Sequence, residues 1–192
     1  MEKQLPRAGK LYLALLHYPV LNKAGSVVTT AIANMDLHDI ARTAKTFGVE
    51  KFFVVNPVAL QRELARRIIE HWRFGHGALH NPFRREAFEK VAIASSLEEV
   101  LDQIKAETGC AAKTAVTGAN LEGDWLTCGK LREFLDSNRL PYLLIFGTGW
   151  GIAPEVVRNA DYRLEPIRGT DDYNHLAVRS AVAIILDRIS NP

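Results

Sequence analysis

Three short turns rich in small residues concentrate the chemistry of this 192-residue sequence. They read Thr117-Gly118-Ala119-Asn120, Gly147-Thr148-Gly149-Trp150-Gly151-Ile152 and Glu165-Pro166-Ile167-Arg168-Gly169-Thr170. Glycine lets a backbone approach a ligand closely and take positive φ. Each turn follows a run with strand character, and open α/β sheets bind ligands beyond the carboxyl ends of their strands. The three together imply a pocket built largely from main-chain amides and carbonyls. Taken alone, GTGWG is explained equally well as a tight strand–helix turn. The common phosphate and nucleophile signatures are missing: there is no GxxxxGK[ST] and no GxSxG. The glycines follow the fifth strand signal rather than the first, which argues against a dinucleotide fingerprint.

Charged side chains give a second set of candidates. Arg42 lies off the Leu37/Ile40/Ala44 face of an amphipathic helix, so it points to a site or to solvent and not to the core. Asp171 and Asp172 sit just beyond the third turn; a carboxylate there suits a general base, and a solvated turn explains the pair as well. Arg168 is placed to meet an anion. Arg62, Arg66, Arg67 and Arg73 decorate one helix, and Arg84 and Arg85 follow an irregular stretch at 74–85. They suit a phosphate backbone, although Glu63 and Glu70 on the same helix fit an ordinary salt-bridged surface equally. His38, His76 and His80 read as exposed and idle.

The positioning elements follow from periodicity. Strand signals occur at 11–17, 51–56, 91–94, 111–117, 142–146 and 161–164. Helix signals fill 34–47, with Asn34 as cap and Gly48 as stop, then 60–72, a stretch from Ser96 with a Ser96/Glu99 capping box, 128–136, and a long helix over 173–189. This alternation predicts a single α/β domain with a mostly parallel six-stranded sheet and helices on both faces. Charge is balanced, with 24 Lys+Arg against 22 Asp+Glu. A net +2 is a weak bias and neither demands nor excludes a nucleic-acid partner. Cys110 and Cys128 form no CxxC or zinc-ligand pattern, so no metal is expected. No secretory leader and no apolar run near 20 residues is present, so no membrane is expected and the cytoplasm is the expected location.

Residues 36–49 (Asp36, Leu37, His38, Asp39, Ile40, Ala41, Arg42, Thr43, Ala44, Lys45, Thr46, Phe47, Gly48, Val49) closely resemble the first motif of SpoU-type RNA ribose methyltransferases. The stretch 144–186 resembles the second and third motifs of the SPOUT, or α/β-knot, superfamily. Its GTGWGI turn is most similar to the tRNA guanine methyltransferase branch, and 166–174 followed by an apolar helix is similar to the third motif. The resemblance implies an S-adenosylmethionine-dependent RNA methyltransferase acting on a tRNA or rRNA, at a base nitrogen or a ribose 2′-hydroxyl. It also implies a C-terminal deep trefoil knot, which general folding rules treat as a rare exception, and a homodimer. The apolar positions Leu176, Val178, Val182, Ile184, Ile185, Leu186 and Ile189 suit burial against both core and partner, and burial within one chain explains them too.

By that resemblance, S-adenosyl-L-methionine is held by Thr117, Gly118, Ala119, Phe146, Gly147, Thr148, Gly149, Gly151 and Ile152. From the third motif it is held by Leu164, Pro166, Ile167, Gly169, Tyr173, Asn174 and Leu176. Arg42 matches the active-site Arg, and Asn174 matches the motif's Asn, although a helix cap is a strong rival for Asn174. Asp171 and Asp172 complete the catalytic set. Arg42, Arg62, Arg66, Arg73, Arg84 and Arg168 are the expected RNA contacts. Asp36 stands where SpoU-type sequences usually carry Asn, which puts ribose chemistry in question. A non-catalytic S-adenosylmethionine-binding sensor of the same fold is the alternative, and it has no use for Arg42.

Overall fold

The computed structural model describes residues 7–171 and 173–191; Asp172 lies outside them. Strand β1 (Lys10–Leu16) is followed by a small hairpin of β2 (Val20–Leu21) and β3 (Val27–Val28), then α1 (Asn34–Thr46) and β4 (Lys51–Val55). Next come α2 (Ala59–Arg73), α3 (His76–His80), α4 (Pro82–Phe88), β5 (Val91–Ala94), α5 (Leu97–Thr108) and β6 (Lys113–Val116). The chain ends with α6 (Cys128–Ser137), β7 (Pro141–Gly147), α7 (Pro154–Asn159), β8 (Tyr162–Arg163) and α8 (Val178–Ser190).

The sheet has the order β5-β4-β1-β7-β6-β8, and every pairing in it is parallel. Its central strands are buried on both faces, which is why they read as unbroken apolar runs rather than alternating ones. Leu11, Leu13 and Leu15 point to one core with Leu37, Ile40, Leu131 and Leu186. Tyr12, Ala14 and Leu16 point to the other with Val100, Ile104 and Ile152. Helices therefore cover both faces, and the carboxyl ends of β1, β6 and β7 converge at one edge.

Local chemistry sets the boundaries. Ser96 Oγ accepts the Glu99 N–H at 3.2 Å, as the capping pattern requires. The Glu99 carboxylate reaches back to the N–H and hydroxyl of Ser95, at 2.7 and 2.6 Å, and so closes the box one residue early. Asn34 is the first helical residue, and Ala33 occupies the cap without a side-chain hydrogen bond. The stretch 74–85 is not irregular. It holds α3 and α4, packed so tightly that a Cβ on Gly77 would fall 2.7 Å from the Trp72 ring. His38 is not idle either: its ring packs edge-on to Trp72 and Phe88, and its Nδ1 is buried without a partner. The last helix begins at Val178, five residues later than periodicity suggests; residues 173–177 are not helical, and Asn174, His175, Leu176 and Ala177 line the pocket described next. No helix among the described residues is long and apolar enough to cross a membrane.

Candidate active site

The loops after β6, β7 and β8 close around one cavity of about 750 Å³. That volume lies inside the range of small-molecule and cofactor sites, about 300–1,000 Å³. From the first loop it is lined by Thr117, Gly118, Ala119, Asn120 and Leu121. Phe146, Gly147, Thr148, Gly149, Trp150, Gly151 and Ile152 form a second wall. The third comes from Glu165, Pro166, Ile167, Asn174, His175 and Leu176, continued by the first turns of α8.

The second loop is fixed by the β2–β3 hairpin, an element too short to leave a periodic signal. Leu21 N–H donates to the Gly151 carbonyl at 2.8 Å, and Trp150 N–H donates to the Leu21 carbonyl at 2.9 Å. Gly149 sits at φ +62° with its Cα against Leu21: a Cβ there would lie 2.7 Å from the Leu21 carbonyl oxygen. Thr148 anchors the same loop from below. Its hydroxyl donates to the Leu16 carbonyl at 3.1 Å and touches the Thr30 hydroxyl, which in turn lies 3.0 Å from His17 Nδ1. His17 is wholly buried, and burial pushes its pKa down to about 4 against an opposing pull from the Ala31 backbone.

Asn174 is not a helix cap. It lies four positions before α8, and its amide donates to the Ala119 carbonyl at 3.2 Å, tying the third loop to the first. Glu165 accepts the Cys128 N–H at 2.8 Å and steadies the start of α6. Burial and the Glu165 charge push the Cys128 thiol up to about 12.

The structure thus gathers all the expected cofactor residues except three. Leu164 is fully buried in the core beneath the cavity, and Gly169 and Tyr173 stand outside it. Asp171 is exposed and its carboxylate accepts the Tyr173 N–H at 3.0 Å in a local turn, away from the cavity wall.

Sequence reasoning missed Arg179 and saw Asp36 only as a departure from a motif. Asp36 is buried in the first turn of α1 and forms part of the cavity wall. Its partner is not Arg42, one helical turn and more away, but Arg179, whose Nη1 lies 3.3 Å from Asp36 Oδ1 and whose Nε lies 3.5 Å from Asp39 Oδ2. Arg179 also lines a second, open groove of about 430 Å³ between α1 and α8, with Asp39, Arg42, Thr43, Phe47 and Ala183. Arg42 is exposed in that groove, and one guanidinium, that of Arg179, borders both spaces. The Asp36–Arg179 pair joins residues 143 apart in sequence, and no local pattern announces it.

The remaining arginines are distributed differently. Arg62 donates to the Asn56 carbonyl at 2.9 Å and finishes the end of β4. Arg66 and Arg67 both pair with Glu63. Arg84 stacks over Trp72 at 4.5 Å, Arg73 over Phe74 at 5.1 Å, and Arg168 over Trp125 at 5.2 Å at the outer rim of the first loop. No group of three or more potential metal ligands is present among the described residues.

Residues 10–191 match the model of a family described as SAM-dependent RNA methyltransferases, and the chain belongs to that family. It is 40% identical over 179 residues to a protein of Aquifex aeolicus, covering 93% of this chain and 87% of that one. It is 41% identical to a tRNA (guanine-N(1)-)-methyltransferase of Oleidesulfovibrio alaskensis, covering 93% of this chain but only 41% of that longer one. Among solved structures it resembles a probable methyltransferase from Bordetella pertussis, with TM-score 0.64 at 13% identity and 95% coverage of both chains. It also resembles a SpoU methyltransferase from Streptomyces viridochromogenes in complex with AdoMet, with TM-score 0.57 at 16% identity, over 97% of this chain and 58% of that one. The protein is an S-adenosylmethionine-dependent RNA methyltransferase.

The cavity fits that cofactor. Leu121, Ile152, Ile167 and Ile185 offer apolar surface for a purine, the loop backbones offer donors and acceptors, and Asp36 and Glu165 bring negative charge to a cationic ligand. The sulfonium supplies an activated methyl group; the chain's own residues supply position and electrostatics.

Proposed function

We propose that this enzyme methylates a structured RNA, a tRNA or rRNA, at a base nitrogen or a ribose 2′-hydroxyl. It works as a homodimer in the cytoplasm, with the segment around residues 144–186 drawn into a deep trefoil knot. One observation carries the reading: the cofactor-sized cavity and the Arg42 groove both border Arg179, so a phosphate held at Arg42 lies beside the cofactor cavity. The loop residues from Thr117 to Leu176 that line the cavity hold the cofactor, Asn174 locks two of the loops together, and Arg42 holds the target.

The dimer is supported by α8. Val182, Ile185, Leu186 and Ile189 are consumed in this chain's own core, while Ile184 on the same helix stays only half-buried, apolar surface that a second copy can cover. The outlying arginines on α2, α4 and the rim, Arg66, Arg73, Arg84 and Arg168, extend the RNA path.

Thermal shift tests the cofactor: S-adenosylmethionine and its demethylated product raise the melting temperature, and NAD and ATP do not. Tritiated methyl transfer to bulk RNA is lost in Arg42→Ala while cofactor binding persists. Equal activity in that variant removes Arg42 from the mechanism.

A further inference from the structure

We infer that Asp36 is the proton acceptor of this enzyme and that its target is a base nitrogen bearing a proton rather than a ribose hydroxyl. The inference rests on the RNA methyltransferase reading above and selects among its substrates. RNA and cofactor approach from different spaces, and a group that touches the acceptor atom must stand where those spaces meet. That junction is the first turn of α1 against the first turn of α8, which is the Asp36–Arg179 pair. Two carboxylates line the cavity among the described residues. Glu165 is held by the Cys128 N–H. Asp36 has one oxygen, Oδ1, turned to Arg179, and no described hydrogen bond uses Oδ2.

The groups around Asp36 are Arg179 from α8, which also reaches Asp39 on the next turn of α1, Arg42 farther along that helix, and Glu165 and His175 across the cavity. Arg179 orients the carboxylate through its Oδ1. A carboxylate is far too weak a base to match a ribose hydroxyl. A ring N–H is much more acidic, and the match improves accordingly. In the step, the nitrogen's proton passes to Asp36 Oδ2 and the nitrogen's electron pair forms the bond to the methyl carbon. The carbon–sulfur pair leaves with sulfur, which becomes a neutral thioether. The carboxylic acid then loses its proton to solvent. An Asn at position 36 offers no such acceptor, so the Asp is a chemical choice and not a conservative variation.

The test uses the full chain and total RNA from cells lacking its gene. It has four readouts: tritium transfer, nucleoside mass spectrometry of the product, calorimetric S-adenosylmethionine binding, and thermal melting. The wild type is expected to yield a base-methylated nucleoside. Asp36→Asn is expected to lose at least 100-fold in kcat, the lower end of general-base contributions, measured at saturating S-adenosylmethionine so that weaker cofactor binding does not enter. Asp36→Glu, which returns the carboxylate, is expected to recover at least tenfold over Asp36→Asn. A ribose-methylated product overturns the inference and leaves the RNA reading standing. So does full activity in Asp36→Asn, or a Asp36→Glu protein that binds cofactor yet is as inactive as Asp36→Asn. Cofactor binding by the wild type with no transfer to any RNA defeats the inference together with the reading beneath it.

Discussion

Lowering the pH should loosen this protein through one residue, His17. The ring is wholly buried at the end of β1, and burial holds its pKa near 4 against an ordinary 6.5. Between those values the unfolded chain binds a proton that the native ring excludes. Stability is therefore unaffected by His17 above pH 6.5, falls as the pH drops toward 4, and levels off below it. The shift of roughly 2.5 units at 1.36 kcal/mol each gives about 3 kcal/mol in all, a large part of the 5–15 kcal/mol that a domain of this kind holds. Burial also lowers the His38 pKa, with the same sign, and the lowered carboxylate of Asp161 adds acid sensitivity at lower pH. A His17→Gln variant separates the one from the rest. Equilibrium guanidinium unfolding, followed by tryptophan fluorescence at pH 7.5, 6, 5 and 4.5, should show the wild type losing about 2–3 kcal/mol more than the variant over that range. The same pH dependence in both proteins would refute the reasoning, whatever their difference at pH 7.5.

Three further outcomes are expected. Gly149→Ala forces a Cβ to within 2.7 Å of the Leu21 carbonyl at positive φ; the strain, about 1–3 kcal/mol, should raise the S-adenosylmethionine Kd at least tenfold by calorimetry, and an unchanged Kd would detach that loop from the cofactor. Leu186→Ala empties a fully buried position on α8 and should cost about 2–5 kcal/mol in chemical denaturation. In a native thiol titration Cys110, which is exposed, should react quickly while Cys128, buried and with its pKa pushed to about 12, waits for unfolding.

The frame of the molecule was legible because its signals are local. Apolar runs at β1, β4 and β7 and the 3,4 spacing of α1 and α2 each lie within a few residues, and the turn glycines mark where they stop. Elements held by tertiary contacts were not. The two-residue strands β2 and β3 carry no period, yet they buttress the GTGWG loop through Leu21. Residues 173–177 continue the periodic signal of α8 yet are not helical, and Asn174 among them is bound to Ala119. The same limit applies to the site. Loop residues were readable as a set because each turn is contiguous. Asp36 was noticed only as a departure from a motif. The observed partner, Arg179, comes from the far end of the chain, and its place is fixed by the packing of α8 on α1. Arg62 shows the same limit: legible only as a basic residue on a basic helix, it also donates to the Asn56 carbonyl at the end of β4.

The strand order also fixes a schedule for biosynthesis. β1 is central, and one of its two neighbours, β7, begins about 130 residues downstream, pairing Lys10 with Pro141 and Leu16 with Gly147. Until that strand has left the ribosome, β1, β4 and β5 form a half-sheet whose most apolar edge is open. Pairings this distant fold slowly, and an unpaired apolar edge invites association with other chains. The nascent protein should therefore depend on chaperone protection late in translation, until β7 joins β1.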